Sequence, residues 1–407
     1  MLAAISVIGI YFTLKSRFFM PKAIKKTVSD TLGSLSKRGN GISPFSAVAT
    51  ALGGTVGVGS IVGVGYGIAV GGAGSVFWMW VCSFFGMGLK YAEIKIALAD
   101  REQRNGSFLG GAPFRLNGLG HKKLALFFCV LCVAASFGTG NVTQTGAIAS
   151  FLGSAGVSRA VSAAVCVLVV ALAVFGGRKR IAGINSVIVP IASAVYIIAC
   201  LAILLSNAER IPDALSRIIT SAFGLKSAFA GFSAAAISKT LREGFARSLF
   251  SNEAGMGSSP LAHATSAEEN PSVQAEWGIF EIFFDTFIVS TLTALCLLCL
   301  NSVDAVSMLS SQFGSLGVWC FGALFAVFAF ASVISWCYYA ECCISFALPK
   351  SRLAPLLYRI AFSLASAAGA FLSGGAVWDI ADILNALMLL PNMFLLLKCR
   401  KEIERIG

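Results

Sequence analysis

The sequence predicts an all-α polytopic membrane protein of about eleven transmembrane helices: one extra N-terminal helix and two inverted five-helix repeats, within a single transmembrane domain over 1–407. Three observations predict it. Hydrophobic residues make up 57% of the 407 and charged residues only 12%, against about 25% charged in a soluble domain. Apolar runs of spanning length recur from end to end, and such runs read as membrane helices. They are continuous rather than alternating, which excludes a transmembrane barrel. Finally, two of the runs are interrupted by the same Gly-x-Gly-Ser pattern, at Gly57–Ser60 and Gly255–Ser258. Paired interruptions at matching places in two halves point to inverted repeats around a midplane site.

The spans fall near 1–16, 43–72, 75–98, 124–153, 158–176, 184–206, 228–265, 275–300, 315–346, 354–374 and 377–397. The first, 1–16, stands apart; the next five make repeat 1 (43–206) and the last five make repeat 2 (228–397). Met1 to Tyr11 lacks a basic leader and a cleavage site, so it reads as a short span and not as a signal peptide. Its shortness points to a start upstream of Met1. Ile211–Phe223 and Ser302–Phe313 read as amphipathic surface helices.

The formal charge of +12 does not indicate nucleic acid, because the positives cluster in short loops between spans. Lys15, Arg17, Lys22, Lys25, Lys26, Lys37 and Arg38 follow span one, and Arg101, Arg104, Arg115, Lys122 and Lys123 follow span three. Arg178, Lys179 and Arg180 follow span five, Lys350 and Arg352 follow span nine, and Lys398, Arg400, Lys401 and Arg405 close the chain. By the positive-inside rule these loops are cytoplasmic. The protein is then a multi-pass cell-membrane protein with its N-terminus outside and its C-terminus inside. Glu268 and Glu269 after span seven run against the pattern, as do Arg210, Arg217 and Lys226 on the outer side. Acidic residues count little in this rule.

The interruption in span seven is the more informative one. Phe250-Ser251-Asn252-Glu253-Ala254-Gly255-Met256-Gly257-Ser258-Ser259-Pro260 carries a carboxylate, an amide, two glycines and a proline. An ionisable side chain at membrane depth costs about 2.5–3.5 kcal/mol even on insertion scales. Backbone freed by Gly and Pro must face protein or water. The segment therefore reads as a broken helix lining a site. Its partner, Gly53-Gly54-Thr55-Val56-Gly57-Val58-Gly59-Ser60, reads likewise; the competing reading is close helix packing through small residues.

In a broken helix, the free N–H groups that open the second half suit a carboxylate. The free carbonyls that end the first half suit a sodium ion or an ammonium group. Gly57 and Gly59 allow close backbone approach, and Thr55 and Ser60 add hydroxyls. Asn141 and Gln144 share a face of span four and need partners, from another helix or from a solute. Glu253 is either a coupling carboxylate or a structural one that satisfies free N–H groups at the break, and Asn252 can bridge the broken ends. Ser332, Ser335 and Trp336 punctuate span nine; a serine hydroxyl with backbone carbonyls can complete a sodium site, although serines also bond their own helix. Asp285, Asp379, Asp382 and His263 are further polar residues at or near spans.

Most of the twelve cysteines lie within apolar spans. Cys129-x-x-Cys132 and Cys296-x-x-Cys299 lack nearby His or acidic partners and read as small packing residues. There is no Walker motif, zinc-type His pair or nucleophile elbow, so enzymatic chemistry is not expected.

Several blocks carry a family resemblance: Gly41-Ile42-Ser43-Pro44-Phe45 with Thr55-Val56-Gly57, then Val76-Phe77-Trp78-Met79-Trp80-Val81 with Lys90-Tyr91-Ala92-Glu93. Phe250–Ser259 with Ala262-His263-Ala264, Asp285-Thr286, and Trp378–Asn385 complete it. The chain resembles the alanine/glycine:cation symporters, also called sodium:alanine symporters, from about Tyr11 to Leu397. The resemblance implies a LeuT-like fold and uptake of a small neutral amino acid, alanine or glycine, with a co-transported sodium ion, by alternating access. It implies that Gln144 contacts the substrate, that the backbone around Gly57 and Gly59 holds its carboxylate, and that Ser332 joins the backbone oxygens of the first broken helix at the cation. The candidate substrate set is Thr55, Gly57, Gly59, Ser60, Gln144, Ser251, Asn252 and Trp336, with Glu253, Gly255 and Gly257 structural or coupling at the second break.

Two departures stand out. The family's Gly-Thr-Gly-Asn reads Gly57-Val58-Gly59-Ser60, and its Gly-Gly-Pro-Met-Tyr-Tyr loop reads Gly110-Gly111-Ala112-Pro113-Phe114-Arg115. The first change falls in the expected site, so restoring Thr at Val58 is expected to strengthen sodium-dependent uptake. Rival functions are a proton-coupled or exchange transporter of another small solute, with Glu253 as proton carrier, and a membrane solute sensor that does not transport.

Overall fold

The computed structural model describes residues 2–15, 41–104, 107–224, 233–372 and 375–405. The basic loop from Arg17 to Arg38, Lys226 and the start of span seven before Ser233 lie outside the described residues. Helices occupy all eleven span positions. Six are long and apolar enough to cross a membrane alone, and a seventh crossing is a bent pair. The other four positions hold helices that are short or carry charge.

The bent pair is α2 (Pro44–Thr55) and α3 (Gly59–Gly71), after α1 (Leu2–Lys15). Ser43 caps α2 by accepting the Ser46 amide, and Pro44 occupies the first turn, where its missing N–H is harmless. The two halves meet at 45°, and α3 opens in a π turn, Gly59–Gly63. Next come α4 (Ser75–Ala97), a hairpin of β1 (Glu102–Arg104) and β2 (Ser107–Leu109), and a short helix α5 (Ala112–Gly118). The chain then forms α6 (Lys122–Ser154), α7 (Arg159–Val174), α8 (Gly177–Ser206) and the surface helix α9 (Ile211–Ala222).

The second break separates α10 (Ser233–Asn252) from the one-turn α11 (Pro260–His263). Between them Glu253, Gly255 and Gly257 have positive φ of 54°, 88° and 74°. Glycine takes that backbone freely; glutamate does so only against strain. The remaining elements are α12 (Pro271–Cys299), α13 (Ala305–Ala347), α14 (Leu353–Ala365), α15 (Gly375–Lys398) and α16 (Arg400–Arg405). The expected surface segment Ser302–Phe313 is helical from Ala305, and a non-helical kink at Gly314, whose φ is 62°, sets it off from the long spanning part of α13.

Helix α4 packs against α1, α10 and α12, while α13 packs against α2, α6 and α8. Both breaks thus lie inside the bundle. Outward faces are apolar: Val161, Val165, Leu168 and Leu172 on α7 and Val187, Ile191, Val195 and Ile198 on α8 are exposed. Rows spaced three and four apart cover one helix face, and faces this apolar suit lipid.

Candidate functional site

At the first break the last carbonyls of α2 have lost their helical partners. Ser332 on α13 donates to the Gly54 carbonyl at 3.2 Å. Across the break, the Val58 amide donates to Gln144 Oε1 at 3.2 Å. Gln144 sits two residues past the π segment Gly138–Val142 of α6, and its Nε2 donates to the Thr139 carbonyl at 3.3 Å. Gly57 lies between these partners: a Cβ there would come within 3.1 Å of Ser332 and 3.2 Å of Gln144 Oε1. Trp336, four residues beyond Ser332, packs so closely on Gly140 that a side chain there would clash with it. The structure therefore brings Gly57, Gln144, Ser332 and Trp336 together.

The two breaks meet at Asp285, inside the π segment Phe283–Ser290 of α12. Ser60, just past the first break, donates to its carboxylate. Ser251, at the end of α10, donates to it at 2.7 Å, and Thr286 at 3.1 Å. Ser60 and Ser251 are 2.9 Å apart, and the Thr55 carbonyl lies 3.2 Å from Ser60 Oγ. All four polar side chains, Ser60, Ser251, Asp285 and Thr286, are fully buried. No cationic side chain contacts Asp285 among the described residues. Its signal in the sequence is a carboxylate next to Thr in an otherwise apolar span. Gly59 serves packing, with a Cβ there 2.8 Å from the Phe250 ring.

Several expected residues do something else. The Thr55 hydroxyl bonds back to the Ala51 and Leu52 carbonyls, at 3.3 and 3.2 Å, so only its carbonyl faces the cluster. Asn252 bonds elsewhere: its amide donates to Ser83 on α4 and to Ser248, and its Oδ1 accepts the Ala254 amide, so it ties the end of α10 to α4 and to the turn that follows. Glu253 does not satisfy the free N–H groups of its own break but accepts from Ser258 at 2.6 Å. That task falls to Glu93 on α4. Its carboxylate accepts the Gly255 amide at 3.0 Å and the Gly257 amide at 2.9 Å, a cradle shaped by the two left-handed glycines. Asn392 on α15 donates to Glu93 as well, and to the Gly255 carbonyl at 2.8 Å. Close by, Lys90 bonds Ser259 at 2.7 Å and pairs with Glu281 at 3.3 Å, which also meets His263 at 3.0 Å.

Val58 likewise departs from expectation. Its amide faces Gln144, but its side chain belongs to the buried apolar cluster with Val56, Ile61, Val64 and Val289. A hydroxyl there gains no ion and must be desolvated, so Val58→Thr should not strengthen sodium-dependent uptake. It should lower thermal stability by about 1–3 kcal/mol, read as a reduced melting midpoint at unchanged sodium affinity.

The family model described as the sodium:alanine symporter family matches residues 1–406. The chain belongs to that family. Among relatives of this symporter, the sodium/alanine symporter AgcS of Methanococcus maripaludis is 36% identical, over 96% of this chain and 89% of that protein. The probable sodium/glutamine symporter GlnT of Bacillus subtilis is 32% identical over 95% and 82%. The crystal structure of MhsT in complex with L-phenylalanine superposes with a TM-score of 0.65 at 15% identity, covering 88% of this chain and 89% of MhsT. The fold is therefore LeuT-like. The protein is a multi-pass, sodium-coupled amino acid transporter, not an enzyme.

Proposed function

We propose that this symporter moves alanine or glycine together with sodium across the cell membrane by alternating access. The observation that carries the reading is the first break, where a carbonyl end and an amide end are each held by one polar side chain from another helix: Ser332 on Gly54 and Gln144 on Val58. Sodium is cargo here, seated by the freed carbonyls of α2 and the Ser332 hydroxyl, a set of neutral oxygens that suits a monovalent ion. The substrate carboxylate goes to the N–H groups that open α3 around Gly57 and Gly59, where the helix dipole is positive. Gln144 Nε2 has a second hydrogen to offer it. Asp285, with Ser60, Ser251 and Thr286, supplies a seat for positive charge beside it. Trp336 on Gly140 closes one wall, and Glu253, Gly255 and Gly257 shape the second break.

The reading also takes 43–206 and 228–397 as the two inverted repeats, with the N-terminus outside and the C-terminus in the cytoplasm. Support comes from the matching breaks and the alternating basic loops. Lys179 and Lys350 are both exposed, so cysteines placed there should resist impermeant maleimide in intact cells and react after permeabilisation. Labelling in intact cells overturns the orientation. Purified protein in liposomes tests the function: counterflow of labelled alanine that needs sodium supports it, and binding without exchange contradicts it.

A further inference from the structure

The α7–α8 turn and the α13–α14 turn lie at the same end of the bundle. Helix α7 packs against both α13 and α14, and a Cβ on Gly177 would lie 3.3 Å from Arg359 Nη2. Arg178, next in the chain, donates to Cys342 Sγ on α13 at 3.8 Å. Six cations gather here: Arg178, Lys179 and Arg180 from the first turn, Lys350 and Arg352 from the second, and Arg359 within α14. Glu341 on α13 accepts Arg359 Nε at 2.6 Å and Nη2 at 2.9 Å, so one guanidinium engages both its oxygens. The sequence has no other carboxylate nearby, with no Asp or Glu in 159–208 or 342–378. Lys179, Arg180, Lys350 and Arg352 are exposed and form no ion pair among the described residues. Apolar side chains adjoin both turns: Leu172 and Phe175 at the end of α7, and Leu353, Leu357 and Ile360 on α14, are all exposed. The start of α6 differs. Lys122 and Lys123 are exposed there too, but the neighbouring α5 brings Arg115 onto two carboxylates, Asp100 and Glu402.

We infer that this surface binds an anionic phospholipid of the cytoplasmic leaflet. The lipid phosphate meets the exposed cations of the two turns, and the acyl chains lie along the apolar faces of α7 and α14. Charge complementarity selects the occupant. Basic pockets between spans on the cytoplasmic side take anionic headgroups, and each Lys or Arg at headgroup level adds to the attraction. A zwitterionic lipid carries its own cation into the same positive field and gains less. A soluble phosphate makes no use of the apolar faces. Long Lys and Arg side chains reach the headgroup level while their stems stay on apolar surface. The two turns come from opposite halves of the chain, so one bound lipid bridges the halves.

The choice of leaflet rests on the orientation proposed above; the binding itself does not, so the two fail separately. Native mass spectrometry of the purified full chain in neutral detergent, with phosphatidylglycerol or phosphatidylcholine added, tests the site. The wild type should hold phosphatidylglycerol at least tenfold more tightly than phosphatidylcholine. Lys179→Gln with Arg180→Gln should weaken phosphatidylglycerol tenfold or more and leave phosphatidylcholine unchanged. Lys350→Gln with Arg352→Gln should do the same from the other turn. The matched pair Lys122→Gln with Lys123→Gln removes the same charge elsewhere and should bind as the wild type does. All six side chains are exposed, so the melting midpoint should stay at the wild-type value in each variant. Equal binding of the two lipids, or an equal loss in all three pairs, overturns the site. Displacement of the lipid by millimolar inorganic phosphate assigns the cations to a soluble anion and overturns it as well. Maleimide labelling of the α7–α8 turn in intact cells would move the site to the outer leaflet and leave the binding result standing.

Discussion

Gln144→Ala should weaken alanine binding by about five- to 150-fold, the equivalent of about 1–3 kcal/mol. Two losses add in the same direction. The substrate carboxylate loses a donor, and the Val58 amide loses the acceptor that ties the unwound segment to α6. Without that tie, part of the binding energy goes into ordering the break. Gln144→Glu restores the acceptor for Val58 but repels a carboxylate, so it should bind as poorly as the alanine variant while melting closer to wild type. Titration calorimetry beside a melting curve checks both. Wild-type affinity in a well-folded Gln144→Ala removes the residue from the site.

The larger structural effect is expected at Glu93. Glu93→Ala strands the Gly255 and Gly257 amides and takes one of two acceptors from the Asn392 amide in one step. Each stranded donor costs about 1–3 kcal/mol, so a loss of about 3 kcal/mol or more is expected, enough to unfold or lock much of the population. Glu93→Gln keeps one carbonyl acceptor and should be intermediate. Glu253→Gln, by contrast, loses a bond to one serine only and should be the mildest of the three. A ranking by melting midpoint in detergent with Glu253→Gln below Glu93→Ala would place the clamp on the wrong carboxylate.

The contrast between those two glutamates shows what was legible in the sequence. Span positions were, because lipid demands long apolar runs whatever the tertiary partners are. The two breaks were, because Gly, Pro and a carboxylate violate that demand visibly. The direction in which a polar side chain turns was not. Glu253 sits in the break and looks like its keeper, yet Glu93, on a helix far away in sequence, reaches both amides. Val58 occupies a position where the family has a hydroxyl, but the π turn after it points its side chain into apolar packing and leaves only its amide to the site. The hairpin at Glu102–Leu109 and the short α5 were missed because a few polar residues between spans carry no period to detect. Asp285 was noted as costly, but only the fold brings Ser60 and Ser251 onto it from two separate helices.

The central claim is that the break between α2 and α3, closed by Ser332 and Gln144, couples an inward sodium gradient to uptake of a small neutral amino acid. The most direct test is uptake by the purified chain in proteoliposomes, across a panel of amino acids, under imposed sodium, lithium or pH gradients. The account predicts accumulation of alanine and glycine driven by sodium, with Ser332→Ala raising the sodium concentration needed for half-maximal uptake by about two- to thirteenfold, the loss of one hydrogen-bonding oxygen at about 0.5–1.5 kcal/mol. Accumulation driven by a pH gradient alone, with sodium without effect and Ser332→Ala unchanged, would contradict it.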